Sequence, residues 1–184
     1  MTAAQIPNLI CVLRIALVWP IISALVDGRF LVALVLVAIA GASDGLDGYL
    51  AKRFNWRSRL GGLLDPLADK LLLVSTFVTL AWLGLTPAWL AALVILRDIV
   101  IVTGGLVYQF AVEPVQPEPS RVSKFNTGAQ LLYVCSEIAN HAIGMPNPAF
   151  LIVAGAAVLV TSSVSGLDYV VRWSGKAVHA ARVR

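Results

Sequence analysis

Charge is scarce in this chain: 14 Lys and Arg with 10 Asp and Glu make up only 13% of its 184 residues. Soluble domains carry about 25% charge, so there are too few polar side chains here to cover a globule in water. A soluble enzyme, a disordered protein and a free nucleic-acid binder are thereby disfavoured. Cysteine is equally sparse. Cys11 and Cys135 both lie in apolar segments, where they read as packing residues, and no disulfide framework or C-x-x-C metal site can be built from them. Met1 to Pro7 carry no basic side chain, and apart from Arg14 the apolar run continues to Val26 without a small-residue cleavage site. That pattern argues against a cleaved signal peptide and for a retained first span. Internal repeats and low-complexity segments are also lacking, so residues 1–184 read as one domain.

What is present is apolar: 59% of residues are hydrophobic and the mean hydropathy is +0.84. Such a chain holds about six membrane crossings of ~20 residues with short loops. Apolar runs and breakers place helices near 8–26, 30–52, 61–84, 87–111, 122–142 and 147–172. Asp27-Gly28 parts the first two, and Gly84-Leu85-Thr86-Pro87 turns between the third and fourth. Three prolines between Glu113 and Pro119 exclude helix there, and Gly144-Met145-Pro146-Asn147-Pro148 closes the fifth. The expected fold is an all-α integral membrane protein with six transmembrane helices. The formal net charge is +4. Lys52, Arg53, Arg57 and Arg59 follow helix two, Arg121 and Lys124 open helix five, and Arg172, Lys176, Arg182 and Arg184 end or follow helix six; the alternate loops hold only Arg29. By the positive-inside rule both termini and the loops after helices two and four are cytoplasmic. Trp82 and Trp89 near the outer ends, with Trp56 and Trp173 near the inner ends, suit interfacial belts, although lipid-facing filler is an equal reading.

Four acids stand in otherwise apolar spans: Asp44, Asp47, Asp65 and Asp69. An ionised carboxylate in a span costs a few kcal/mol on insertion scales, so its default reading is functional. Asp44 and Asp47 are spaced i, i+3 and Asp65 and Asp69 i, i+4, so each pair shares a helical face. The basic loop between the pairs lets the helices return antiparallel, with both pairs towards the cytoplasmic ends. Carboxylates this close repel by ~4 kcal/mol for a pair ~4 Å apart at an effective dielectric of 20. Either some protonate or cations sit among them. An all-oxygen site selects a hard cation such as Mg²⁺ or Mn²⁺, and four carboxylates suit two ions, the usual machinery for displacement at phosphorus. The alternative is a set of caps and interhelical salt bridges. Gly45, Gly48, Gly61 and Gly62 are interleaved with the acids; lacking a Cβ, they let backbone approach a bulky phosphate, or simply let helices pack.

Together these residues spell Asp44-x-x-Asp47-Gly48-x-x-Ala51-Lys52, eight residues, then Gly61-x-x-x-Asp65-x-x-x-Asp69. The pattern resembles the signature of the CDP-alcohol phosphatidyltransferases, membrane enzymes of phospholipid synthesis. One departure is Lys52, where the family usually has Arg; lysine keeps the charge and loses the bidentate fork. Arg53 follows and can share the role. The resemblance implies six transmembrane helices, a homodimer, and two metal ions (Mg²⁺ or Mn²⁺) at the cytoplasmic face. It implies Asp44, Asp47, Asp65 and Asp69 as metal ligands and Asp69 as general base for the acceptor hydroxyl. Gly48, Lys52 and Ser58 are implied to hold the CDP-lipid, together with Asp44, Gly61 and Asn8 of Pro7-Asn8-Leu9. For Asn8 and Ser58 a helix cap and a solvated loop residue are the alternatives.

Asp65-Pro66-Leu67-Ala68-Asp69-Lys70 and Ile6-Pro7-Asn8-Leu9-Ile10 resemble the branch that contains phosphatidylglycerophosphate synthases and eukaryotic-type cardiolipin synthases. In the former, helix five tends to begin Gly-Lys-x-Lys-Thr; here it reads Ser123-Lys124-Phe125-Asn126-Thr127, the form seen in cardiolipin synthases. Arg97-Asp98 also matches their pattern. A phosphomonoester acceptor carries nearly two charges and favours an extra cation, whereas phosphatidylglycerol carries one. The resemblance therefore implies transfer from CDP-diacylglycerol to phosphatidylglycerol, with glycerol 3-phosphate as the rival acceptor. Arg97, Arg121, Lys124 and Asn126 are the candidate acceptor residues; Arg121 and Lys124 also read as positive-inside anchors.

Arg97 and Asp98, adjacent on a helix, are expected to diverge rather than pair. Arg14 is expected to snorkel or contact lipid phosphate, Glu137 to cap a polar network, and Asp168 with Arg172 to form an i, i+4 ion pair. His141 and His179 receive no role. A small cation transporter and a non-catalytic assembly subunit are the readings from other classes. Transport sites usually lie at the midplane, away from a basic cytoplasmic loop, and an assembly subunit has no need of all four aspartates. The short start without a basic presequence favours a bacterial inner (plasma) membrane over a mitochondrial one.

Overall fold

The computed structural model describes the backbone of residues 6–54, 61–111 and 121–183, with side chains at 10–43, 67–104 and 122–171. Six helices and no strand occur among the described residues: α1 Ile6–Val26, α2 Phe30–Phe54, α3 Gly61–Trp82, α4 Ala88–Ala111, α5 Arg121–Ile143 and α6 Pro148–Val183. The breakers act where expected. Gly28, Gly84 and Gly144 take φ of 72°, 73° and 74°, a left-handed conformation that ends a helix at little cost only for glycine. Each begins a tight connection to the next helix.

Packing follows a ring in the order α2, α1, α3, α4, α6, α5 and back to α2, with α3 and α5 also touching across the middle. All six helices feed one core, from Ile21 and Leu25 on α1 through Val37, Phe77, Val94 and Ile138 to Val158 on α6. At the α3–α5 crossing, the rings of Phe77 and Tyr133 stack at 5.9 Å between centroids. Gly155 lets α6 approach α5, since a Cβ there would lie 3.3 Å from Tyr133 Cε2.

The polarity is inverted relative to a soluble bundle. Arg14, Arg97, Asn126, Gln130 and Ser165 are buried, whereas Trp19, Trp82, Leu96, Ile152 and Leu167 are exposed. Among the described residues, Pro148–Val171 is long and apolar enough to cross a bilayer, and the apolar segments Ile10–Val26 and Phe30–Ser43 are shorter. Trp82 and Trp89 are exposed as the belt reading requires; Trp56 and the side chain of Trp173 lie outside the described residues. Cys11 is buried and Cys135 half-buried, neither in a disulfide among the described residues, in keeping with packing roles. α6 continues to Val183, well beyond the expected end near 172. The apolar run stops at Arg172, but a charge ends hydropathy and not a helix.

Candidate active site

The inward face of α1 is set by Cys11, Arg14, Ile21, Ala24 and Leu25, all buried, at the 3–4 residue spacing of one helical stripe. Arg14 is thus carried into the bundle at 1% exposure and cannot snorkel. A buried guanidinium needs an anion. It finds Asp69 on α3, with Nη1 donating to Oδ1 at 2.5 Å. This corrects the expectation of a lipid-phosphate contact: α1 presents Arg14 to α3, which packs directly on it. Asp69 is itself one-third exposed. The two residues line a cavity of about 50 Å³ with Ala40 and Gly41 of α2 and Thr127 and Leu131 of α5.

A second network ties α3 to the other half of the ring. Asp98 Oδ1 receives Lys70 Nζ at 2.6 Å and Arg97 Nη1 at 2.6 Å. Arg97 Nη2 also donates to Ser123 Oγ at 2.7 Å on α5 and Ser165 Oγ at 2.6 Å on α6. Neighbours on a helix were expected to diverge, and Arg97 with Asp98 overturn this. α4 lies between α3 and α6, so its inward stripe is two residues wide, with Leu90 and Ala91 buried two turns before Arg97 and Asp98. Both side chains enter the interior, where the long arginine arm folds back onto Asp98.

Asn126 is fully buried. Its Oδ1 accepts from Ser162 Oγ at 2.9 Å and Thr161 Oγ1 at 2.8 Å, binding α5 to α6. Gln130, one turn on, reaches Ser162 at 3.5 Å. Lys124 is exposed. The structure therefore groups Arg97 and Asn126 along one α5–α6 seam through Ser123, Ser162 and Ser165, and leaves Lys124 outside it. Glu137 is buried beside His141, whose Nδ1 lies 3.9 Å from its Oε1. Tyr133, one turn before it, donates to Thr86 at 3.4 Å, so a polar network does exist around Glu137.

Of the other candidates, Asp44, Asp47, Gly48 and Lys52 lie on α2, Gly61 and Asp65 on α3, Asn8 on α1 and Arg121 at the start of α5. Their side chains lie outside the described residues, as do those of Arg172 and His179 and the whole of Ser58. No group of three or more metal-ligating side chains occurs among the described residues. Asp69, a hard oxygen donor, fits a divalent cation by chemistry. It faces a cavity walled on the α2 side by the small residues Ala40 and Gly41, and Asp44 follows these by one turn. Arg14, Lys70 and Asp98 are the site neighbours that motif spacing left unassigned. For Arg14 and Asp98 the signal was their place on an inward stripe.

A bundle of six helices with carboxylates spaced along α2 and α3 is what the family signature predicts, and the family's model matches residues 4–164. The chain belongs to the CDP-alcohol phosphatidyltransferase family. It is similar to a probable cardiolipin synthase (CMP-forming) of Drosophila melanogaster, 36% identical over 142 residues covering 68% of this chain and 44% of that one. The human cardiolipin synthase (CMP-forming) is 29% identical over 180 residues, 89% of this chain and 60% of that one. The CDP-diacylglycerol–glycerol-3-phosphate 3-phosphatidyltransferase of Bacillus subtilis is 32% identical over 146 residues, 71% of this chain and 74% of that one. Against the two cardiolipin synthases the matched region thus spans about half the relative's length.

Proposed function

We propose that this chain is a cardiolipin synthase, transferring the phosphatidyl group of CDP-diacylglycerol to phosphatidylglycerol with release of CMP. Asp69 takes the proton of the acceptor hydroxyl, whose oxygen attacks the lipid-linked phosphorus; the bond to CMP breaks and CMP leaves. Asp44, Asp47, Asp65 and Asp69 are the residues to hold two Mg²⁺ or Mn²⁺ ions, which when bound neutralise charge on the diphosphate. Asn8, Asp44, Gly48, Lys52, Ser58 and Gly61 serve the CDP-lipid. Arg121 and Lys124 serve the acceptor phosphate, with Arg97 and Asn126 shaping the seam behind them.

The observation that carries the choice of acceptor is Asn126. Where a doubly charged acceptor favours a further cation, this chain has a neutral amide that is fully buried and hydrogen-bonded to α6. The names of the fly and human relatives agree with this reading. Phosphatidylglycerophosphate synthesis is the rival, favoured by the Bacillus relative, of which the match covers 74%.

In the same reading all six helices span a bilayer, as one catalytic domain that works as a homodimer. Both termini and the basic segments are cytoplasmic, and the site opens at the cytoplasmic face of the inner (plasma) membrane. The apolar outer surface supports embedding in a bilayer. The deciding assay gives purified protein CDP-diacylglycerol and Mg²⁺ or Mn²⁺ with either phosphatidylglycerol or glycerol 3-phosphate. Cardiolipin and CMP are expected from the first acceptor; product from glycerol 3-phosphate alone refutes the assignment.

A further inference from the structure

The pairing of Arg14 with Asp69 has no place in the reaction as written above. The two partners are unequally buried: Arg14 at 1% exposure and Asp69 at 33%. The cation is thus fixed in the protein interior, while the carboxylate it neutralises borders a cavity. Lys70 and Arg97 are engaged with Asp98, so they serve a different carboxylate. Asp44, Asp47 and Asp65 add three acids to the same two helices, and a cluster of that sign is costly without positive charge nearby.

We propose that Arg14 is the resident counter-charge of the acidic site, a buried cation that neutralises Asp69 and thereby holds the site's affinity for divalent cations down. This rests on reading Asp69 as a ligand in a divalent-cation site. A fixed positive charge beside that ligand stabilises the cluster when no divalent ion is bound and opposes the ion when it arrives. Loss of the charge therefore has two effects of opposite sign. The cation-free protein becomes less stable, and the cation binds more tightly, by at least about ten-fold for a unit charge acting on a divalent ion across several Å. A residue that merely packs α1 against α3 produces no such opposition.

The test is thermal unfolding of the purified full chain in detergent, in chelator and along a Mn²⁺ titration, for the wild type, Arg14→Gln, Arg14→Lys, Asp69→Asn and the Arg14→Gln/Asp69→Asn double variant. In chelator, Arg14→Gln is expected to melt below the wild type. Mn²⁺ should restore most of the difference, with a midpoint at least about ten-fold lower in concentration. Arg14→Lys, which keeps the charge, should titrate like the wild type. In the Asp69→Asn background, Arg14→Gln should still lower the Mn²⁺ midpoint, because the charge acts on the ion through space. An equal loss of melting temperature with and without Mn²⁺, an unchanged or raised midpoint, or failure of Arg14→Gln to fold even in Mn²⁺ overturns the proposal. Failure of the underlying reading has its own signature: Asp69→Asn responds to Mn²⁺ just as the wild type does.

Discussion

Arg14 and Arg97 are both sealed inside the bundle, but Arg14 meets a carboxylate on the wall of a cavity, whereas Arg97 is held by its own neighbour and two serines. Each guanidinium satisfies the rule that buried charge needs a partner. The α1–α3 pair crosses two helices and leaves its acid one-third exposed. The α4 network instead encloses Asp98 between Lys70 and Arg97 and spreads to α5 and α6. A partly open carboxylate can do chemistry; an enclosed one joins helices. In the proposed reading the first half of the ring carries the reactive group and the second half the clasp that fixes its surroundings.

The largest expected effect is at the open carboxylate. Asp69→Asn should lower CMP release by roughly 10²–10⁴-fold, the usual contribution of a general base, while the helical circular dichroism stays unchanged. Full activity would place the base elsewhere and erase the contrast between the halves. On the clasp side, Arg97→Ala removes one of the two cations on Asp98 and leaves Lys70 to pair with it, so it should cost about 1–3 kcal/mol in denaturant unfolding. A loss below about 1 kcal/mol would mean that water reaches the network. Asn126→Ala leaves the hydroxyl of Ser162 without that acceptor and should cost about 1–3 kcal/mol, with phosphatidylglycerol still the acceptor; a switch to glycerol 3-phosphate would give Asn126 a direct part in choosing it. The smallest change is expected from Gly41→Ala. The new Cβ would meet Leu131 Cδ2 at 3.3 Å, the far end of a flexible side chain, so the cost should stay under about 1 kcal/mol. A larger loss would show the α2–α5 contact at the cavity to be rigid.

Most of the helical plan was legible from the sequence, because glycine and proline breakers are local signals. Helix ends fall within two residues of expectation except at the end of α6, where the backbone continues through Arg172 and Lys176 to Val183. The acid motif was legible too, since i, i+3 and i, i+4 spacing is a property of one helix. The partner of Asp69 was not, because it comes from elsewhere in the ring: Arg14 and Asp69 lie 55 residues apart. Arg97 and Asp98 failed for the opposite reason. Adjacency on one helix suggested divergence, and only the position of α4 between two neighbours explains why both turn inward.

The Arg97–Asp98 contact also bears on how the protein is made. If α4 spans a bilayer, as proposed, an arginine near its centre costs about 2.5–3.5 kcal/mol on insertion scales. Ser123 and Ser165 lie 26 and 68 residues further along the chain, on the helices that follow α4. Asp98 arrives together with Arg97, and Lys70 precedes them both. In the proposed six-span reading the ion pair enters the bilayer with its own helix, and the serines secure it once α5 and α6 follow.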